Sequence, residues 1–208
     1  MSLSCTELRD LLTRTLTALP AHAEELRELD AALGDGDLGI TVQSGSTAVV
    51  KVIGALPETA SVSELLLAAG KAFSTANPST FAALIGGGLL AASKTVTGKD
   101  AIDKADALAI GRAVAGRIIE RGKSQVGDKT VLDALVPSLD TLEATSGSAD
   151  VVLDAMIAKS QEQVTATASL QSKKGRAAWV QERSIGHADP GATAYLRFLE
   201  ALRAALKA

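Results

Sequence analysis

Leucines occupy every third or fourth position at the start of the chain, and the same spacing resumes after Pro20. The positions are Leu8, Leu12, Leu16, Leu19, Leu26, Leu29 and Leu33. This spacing puts the leucines on one face of an α-helix. Because proline lacks the backbone N–H that a helix interior needs, the pattern predicts a long helix that is kinked or divided at Pro20.

Helical spacing continues along the rest of the chain, between short connections rich in Gly, Ser or Asp. The predicted helices span residues 38–54, 63–74, 103–121, 130–144, 149–169 and 191–206. One more begins at Asn77-Pro78-Ser79-Thr80 and runs to about Thr95, with Asn77 as its cap and Pro78 in its first turn. The pattern therefore predicts about eight helices.

Alternating polar and apolar positions between hairpin turns are not sustained anywhere, so a sheet is not expected. Short connections between successive helices favour antiparallel neighbours. A chain of 208 residues lies within the usual range of a single domain, and its composition does not change sharply along its length. The expectation is one all-α domain over residues 1–208.

Composition narrows the function classes. Hydrophobic residues make up 47% of the chain but aromatic residues only 2%, so the core must consist mainly of Ala, Leu, Val and Ile. The net charge of -3 offers no evident attraction for nucleic acid. No segment has the roughly 20 apolar residues of a membrane helix. The single cysteine, Cys5, excludes an internal disulfide and fits a cytoplasmic location.

Three aspartates, Asp30, Asp35 and Asp37, lie within eight residues between two predicted helices. Carboxylates that converge repel one another unless a hard divalent cation, of which magnesium is the natural candidate, sits among them. Glycines beside Asp35 and Asp37 permit the tight turn that convergence needs. The helix that follows offers free N–H groups to phosphate.

Two other interpretations of this segment exist. The Gly-Asp-Gly-Asp stretch at residues 34–37 is also typical of a simple helix-capping turn, and the spacing alone does not decide between a metal loop and a cap. A calcium loop of the EF-hand type is disfavoured, because position twelve counted from Asp30 is Thr41 and not the bidentate Glu.

The connection from Gln171 to Pro190 is the longest one that the pattern leaves between helices. It is polar and carries Gly175 and Gly186 as flexible points. Long polar loops of compact domains are disproportionately functional. Trp179 within it is expected to anchor the loop by packing.

Three stretches of the chain together resemble the L subunit of bacterial dihydroxyacetone kinases, which is also the C-terminal domain of the single-chain ATP-dependent forms. The first is Asp30 to Gly39. The second is Gly127-Asp128-Lys129-Thr130 followed by Leu132-Asp133-Ala134-Leu135. The third comprises Gly175-Arg176-Ala177, Glu182 to His187, and Asp189-Pro190-Gly191-Ala192. Their order and spacing span nearly the whole chain.

The resemblance implies a barrel of eight antiparallel helices with ADP or ATP at one rim. Asp30, Asp35 and Asp37 would be the catalytic and metal-binding carboxylates, holding two magnesium ions that bridge the phosphates. The residues implied to contact phosphates are Leu38, Gly39, Ile40, Thr41 and Ser79, with Thr80 as an added hydroxyl. Those implied to surround the adenosine are Gly122, Thr130 and Val131. Those implied to fold over the nucleotide are Arg176, Asp189, Pro190 and Gly191.

The chain departs from the family in two places. Leu38 stands where the family commonly has His, and Asn77-Pro78-Ser79-Thr80 replaces a Gly-Ala-Ser-Gly run. The imidazole that would donate to phosphate is thus missing, and hydroxyls of Thr41, Ser79 and Thr80 are candidates to replace it. The departures leave open which ketose accepts the phosphoryl group.

The resemblance also implies partners. The ketose site would belong to a separate K subunit, so the isolated chain should have little kinase activity. The donor would be either ATP or a phosphocarrier of the phosphotransferase system that rephosphorylates a bound ADP. Two alternatives stand beside this hypothesis: a helical metal-binding or interaction module without catalysis, and the nucleotide domain of a fatty-acid-kinase-like system. The second is disfavoured because such proteins carry further domains.

Overall fold

The computed structural model describes residues 2–207, so Met1 and Ala208, the ends of the predicted domain, lie outside the described residues. Within this range the chain is almost entirely helical. The α-helices are α1 (Cys5–Ala18), α2 (Ala23–Leu33), α3 (Leu38–Gly54), α4 (Val62–Ala76), α5 (Thr80–Ser93), α6 (Lys104–Gly122), α7 (Val131–Ala144), α8 (Ala149–Thr167) and α9 (Pro190–Lys207). The predicted all-α fold is confirmed.

The long N-terminal helix is divided at the predicted place. A 3-10 segment, Leu19–His22, separates α1 from α2 and has Pro20 in its first turn. Two further 3-10 segments are Lys94–Val96 and Arg176–Ser184. The last of these lies inside the long connection, which the sequence had predicted only as a loop.

A minimal sheet adds to the helices. Strands β1 (Leu3–Ser4) and β2 (Ala101–Ile102) pair antiparallel, with Leu3 opposite Ile102. Two-residue strands leave no alternating pattern in the sequence, which is why they were not predicted. The pair holds Leu3 and Ser4 beside the connection between α5 and α6.

Each helix from α3 to α9 packs against the next, and α1 packs against both α9 and α3. The ring therefore closes into a barrel of eight antiparallel helices, and α2, which follows α1, also packs against α3 and α9. Small and branched aliphatic residues fill the core, as the composition predicted, and Phe73 and Phe81 meet edge to face with ring centroids 6.5 Å apart. None of the helices in residues 2–207 combines the length and apolar character of a membrane crossing.

The alternation of direction has one consequence for function. Helices α3, α5, α7 and α9 all begin at the same end of the barrel, while α2, α4, α6 and α8 end there. Free N–H groups and the positive ends of four helix dipoles are thus collected at one rim. A rim of this kind favours anionic ligands.

Candidate functional site

The three predicted metal ligands converge at this rim. Asp30 lies in the last turn of α2, and Asp35 and Asp37 lie in the connection to α3. One carboxylate oxygen from each is within 4.8 Å of the others. Gly36, at φ 73°, makes the turn that lets Asp35 and Asp37 point to one place.

The electrostatics of the cluster fit a hard cation. Burial, followed by the negative charge of Asp30, raises the pKa of Asp37. Asp30 Oδ2 accepts a hydrogen bond from the Leu38 N–H at 3.1 Å. Asp37 precedes α3 directly, yet its side chain makes no capping hydrogen bond. A capping turn therefore accounts for Asp30 but not for Asp37, whereas oxygen ligands around a divalent ion account for the whole set.

Arg176 reaches this cluster from the long connection. Its Nη1 contacts the carboxylate of Asp35 and lies 3.5 Å from Asp37 Oδ2. The arginine side chain remains 45% exposed. One guanidinium cannot balance three carboxylates, so the cluster keeps negative charge for a cation.

The first turn of α3 supplies the nearest N–H groups. The Leu38 N–H is already donated to Asp30, and the Leu38 side chain is buried in the core with Leu26 and Val42. Gly39 and Ile40 carry the next two N–H groups, which have no acceptor within residues 2–207. A residue larger than glycine does not fit at position 39, because its Cβ would lie 2.0 Å from the carbonyl oxygen of Ala23.

The start of α5 corrects the predicted cap. The helix begins at Thr80 and is capped by Ser79, whose Oγ accepts from the Ala82 N–H at 3.1 Å. Asn77 instead ends α4 in an extended conformation, because a residue before proline is driven out of the helical region. Its Nδ2 donates to Thr41 Oγ1 at 2.8 Å.

The hydroxyl of Thr41, which was expected to contact phosphate, is instead occupied by these neighbours. The residue is only 1% exposed, and its hydroxyl lies between Asn77 Nδ2 and Ser79 Oγ, the latter at 3.3 Å. The hydroxyl therefore holds Ser79 and does not itself face open space. Thr80, in contrast, is exposed at the start of α5.

The remaining predicted residues form a second group at the starts of α7 and α9. Thr130 caps α7, and its own N–H donates to Asp133 Oδ2 at 2.7 Å. Asp189 Oδ2 accepts from the Ala192 N–H at 2.7 Å, with Pro190 as the first residue of α9. A Cβ on Gly191 would lie 3.4 Å from the Val131 nitrogen, so the two helix starts touch.

Gly122 belongs to the same rim as the last residue of α6. A Cβ there would lie 3.7 Å from the side chain of Leu84, near the start of α5. The structure thus brings every predicted site residue to one end of the barrel, in two groups. The acidic group lies at α2, α3, the start of α5 and Arg176, and the second lies at α6, α7 and α9.

Two residues behave differently from what the sequence indicated. Trp179 was expected to be a packing anchor, but 81% of it is exposed, so this prediction is wrong. The indole projects into solvent from the 3-10 segment Arg176–Ser184. Lys129 was only part of a motif, yet it is one of the largest fully buried side chains among residues 2–207. Nothing in a Gly-Asp-Lys-Thr turn distinguishes a buried lysine from a solvated one.

Comparison with known proteins identifies the family. The DAK2 domain matches residues 32–204, which include Asp35 and Asp37 of the acidic cluster and the starts of α3, α5, α7 and α9. The chain belongs to the DAK2 domain family. Along its whole length it is similar to the ADP-binding subunit DhaL of the PEP-dependent dihydroxyacetone kinase of Escherichia coli K12, at 30% identity over 210 residues and 100% of both chains.

Other members of the family show the same domain in two settings. The ADP-binding subunit DhaL of the PTS-dependent dihydroxyacetone kinase of Lactococcus lactis is 35% identical over 82% of this chain and 83% of its own length. The L-erythrulose 1-kinase of Mycolicibacterium smegmatis is 33% identical over 86% of this chain but only 32% of its own length. A DAK2 domain is therefore found both as a separate subunit and as about a third of a longer kinase.

A solved structure supports the fold independently. The dihydroxyacetone kinase of C. freundii, in complex with AMP-PNP and Mg²⁺, aligns with a TM-score of 0.77 and 23% identity. The alignment covers 97% of this chain and 34% of that one. At this identity the likeness concerns the fold of the DAK2 domain alone.

Proposed function

We propose that this chain is the nucleotide-binding subunit of a ketose kinase, and that it holds ADP or ATP through magnesium at the rim of the barrel. The observation that carries the proposal is the convergence of three carboxylates at the end where four helices begin. Anions and cations are both accommodated there, which is what a magnesium nucleotide requires. The names of the DhaL relatives supply the chemical class.

In this proposal Asp30, Asp35 and Asp37 ligate two magnesium ions. Bound there, the ions would neutralise charge on the transferred phosphoryl group. The aspartates keep their ligand oxygens within reach of one another through the Gly36 turn and the hydrogen bond from Leu38 to Asp30. Arg176, which contacts Asp35, would supply a further positive charge beside the phosphates.

Backbone and hydroxyl groups around the cluster would hold the phosphates. The free N–H groups of Gly39 and Ile40 face the rim at the positive end of the α3 dipole. Ser79 and Thr80 add hydroxyls at the start of α5, and Thr41 supports Ser79 from beneath. These donors take the place of the missing imidazole at Leu38, whose side chain packs in the core.

The adenosine would lie against the second group. Gly122, Thr130 and Val131 border the ends of α6 and α7, and Asp189, Pro190 and Gly191 border the start of α9. The contact between Gly191 and Val131 joins these elements into one wall.

The acceptor is proposed to be a small ketose, dihydroxyacetone or a tetrulose, carried by a separate K-type subunit. The relatives whose length this chain covers best are ADP-binding subunits of PEP- or PTS-dependent kinases. Their names favour a bound ADP that a phosphotransferase-system phosphocarrier recharges. ATP as an exchanging donor is the other form of the same proposal.

Reconstitution tests the function. The chain is mixed with a K-type subunit and supplied either with ATP or with a phosphorylated carrier, and phosphorylated trioses and tetruloses are measured by mass spectrometry. The expected result is product only when chain and K-type subunit are both present. Absence of any phosphorylated ketose with both donors, despite magnesium-dependent nucleotide binding, would contradict the ketose kinase assignment.

A further inference from the structure

Lys129 combines two unfavourable features in one position. The residue is only 2% exposed, and its backbone lies in the left-handed region at φ 61°. A buried ammonium is costly unless its donors are satisfied, and non-glycine residues rarely adopt this conformation. Both features persist only where surrounding contacts compensate for them.

The compensating contacts lie in the long connection. Lys129 Nζ donates to the carbonyl oxygens of Leu170 at 3.0 Å and of Ser184 at 2.5 Å. Leu170 follows the end of α8, and Ser184 is the last residue of the 3-10 segment. One ammonium therefore ties together the two ends of the stretch 170–184, which we call the Arg176 loop.

Other hydrogen bonds close the base of the Arg176 loop, where residues 168–173 meet residues 184–186; we call this base the root of the loop. The Ser172 N–H donates to Ser184 Oγ at 2.9 Å, and the Gly186 N–H donates to the carbonyl of Ala168 at 2.7 Å. The Lys173 N–H donates to the carbonyl of Asp128, the neighbour of Lys129. Ser172 and Ser184 are buried, and the root of the loop is thus bonded to the turn before α7.

The tip of the loop, residues 175–181, is more exposed than its root. Arg176 and Trp179 are exposed, and the backbone turns sharply at Gln181, at φ 49°. The tip meets the rest of the molecule mainly through Arg176 and the acidic cluster and through contacts with α2. Its position therefore depends on how firmly the root is closed.

We infer that Lys129 is a positioning residue for the nucleotide site, closing the root of the Arg176 loop so that Arg176 is held over Asp35 and Asp37. The inference rests on the proposed function in so far as Arg176 serves a nucleotide. Burial lowers the pKa of Lys129, and the negative charge of Asp189 partly opposes this shift. Lys129 thereby connects both ends of the Arg176 loop to the turn before α7.

The test compares Lys129→Met with Lys123→Met. Lys123 is also in the left-handed conformation, at φ 48°, but is exposed, so the control makes the same chemical change on the same backbone geometry. Three properties are measured below the unfolding temperature: the rate of tryptic cleavage after Lys173, Lys174 and Arg176, acrylamide quenching of Trp179, and the Kd for magnesium ADP. Trp179 is the only tryptophan of the chain and reports directly on the loop.

Lys129→Met is expected to speed cleavage, to change Trp179 quenching and to weaken magnesium ADP binding about tenfold, as loss of a supporting contact typically does. Lys123→Met should behave like the unchanged chain. Unaltered cleavage, quenching and Kd in a folded Lys129→Met chain would overturn the inference and leave Lys129 a purely structural residue.

A measurement on the unchanged chain covers the case in which Lys129→Met does not fold. Hydrogen exchange without nucleotide should show the amides of Ser172 and Gly186 protected nearly as well as the barrel core, and those of the tip unprotected. Root amides that exchange as fast as the tip would overturn the inference. Failure of the unchanged chain to bind magnesium ADP would instead count against the proposed function, since the cleavage and exchange results do not depend on nucleotide.

Discussion

At the scale of single residues, Asp37 is a group whose charge suits cation binding but lowers the stability of the folded chain when no cation is bound. Its pKa is raised by burial and by Asp30, so above that pKa the folded chain carries a charge that the surroundings disfavour. A cation would remove this penalty. The same carboxylate is therefore expected to destabilise the chain without magnesium and to be needed for stabilisation with it.

Asp37→Asn tests this relationship by thermal unfolding. In EDTA at pH 7 the variant should melt above the unchanged chain, and the advantage should vanish at low pH, where both folded and unfolded carboxyls are protonated. With magnesium ADP at a hundred times Kd, the unchanged chain should gain about 3 kcal/mol while the variant gains little. Asp10→Asn, at an exposed position of α1, is the control and should show neither effect. If magnesium ADP stabilised Asp37→Asn as much as the unchanged chain, Asp37 would be excluded as a magnesium-binding residue.

Asp189 makes a separate prediction about pH. Burial raises the pKa of Asp189 to about 6, with backbone hydrogen bonds from Ala192 and Gly191 acting in the opposite direction. Between about pH 4 and this value the folded chain binds a proton that the unfolded chain does not, so this group adds stability as pH falls from 7. The full contribution is about 3 kcal/mol.

Denaturant unfolding at pH 7 and pH 5 measures about half of this contribution, because the pKa of about 6 lies midway between the two values. The free energy of unfolding of the unchanged chain should rise relative to that of Asp189→Asn as pH falls, because the variant keeps an oxygen for the Ala192 N–H but cannot titrate. Asp103→Asn is the control, because it makes the same chemical change at the exposed cap of α6. Parallel pH profiles for the unchanged chain and Asp189→Asn would refute the assigned shift.

At the scale of elements, the junction of α2 and α3 determines whether the acidic residues converge. Gly39 lets α3 start directly against Ala23 of α2, and a Cβ there would overlap the Ala23 carbonyl at 2.0 Å. Because backbone cannot yield as a side chain does, the helices would have to separate. Separation would carry Asp35 and Asp37 away from Asp30.

Gly39→Ala should therefore destabilise the chain by about 3 kcal/mol and abolish magnesium-dependent binding of ADP. Gly116→Ala provides the matched control, since Gly116 is an exposed residue of α6 whose Cβ would meet nothing within 4 Å. This control should be stabilised by about 0.5–1 kcal/mol through its higher helix propensity. Denaturant unfolding checks both values, and similar effects at the two positions would show that the α2–α3 contact is not close.

Some features of the helices could be predicted from the sequence and others could not. The leucines before and after Pro20 gave two helices and the break between them, because helical period and proline chemistry are local properties. The cap of α5 was misassigned to Asn77, since both Asn and Ser are good caps and only the contact with Thr41 commits Asn77 elsewhere. The burial of Lys129 and the exposure of Trp179 depend on packing between distant segments and leave no local pattern.

At the scale of the whole molecule, the closed ring explains the place of the site. Antiparallel helices with short connections were predictable, but the packing of α1 on both α3 and α9 was not, because it joins segments far apart in sequence. Closure brings four helix starts to one rim and sets the three motifs, distant along the chain, around it. The family resemblance supplied roles for these residues, and the fold supplies the physical reason why they lie together.

Magnesium-dependent nucleotide binding is measured most directly by a calorimetric titration of ADP into the chain after dialysis against EDTA, with and without magnesium. Saturable binding is expected in magnesium, none in EDTA, and none for Asp35→Asn in magnesium, while Asp10→Asn binds normally. Binding of equal affinity with and without magnesium, or full binding by Asp35→Asn, would contradict the claim that the three converging carboxylates hold the ions through which the nucleotide is bound.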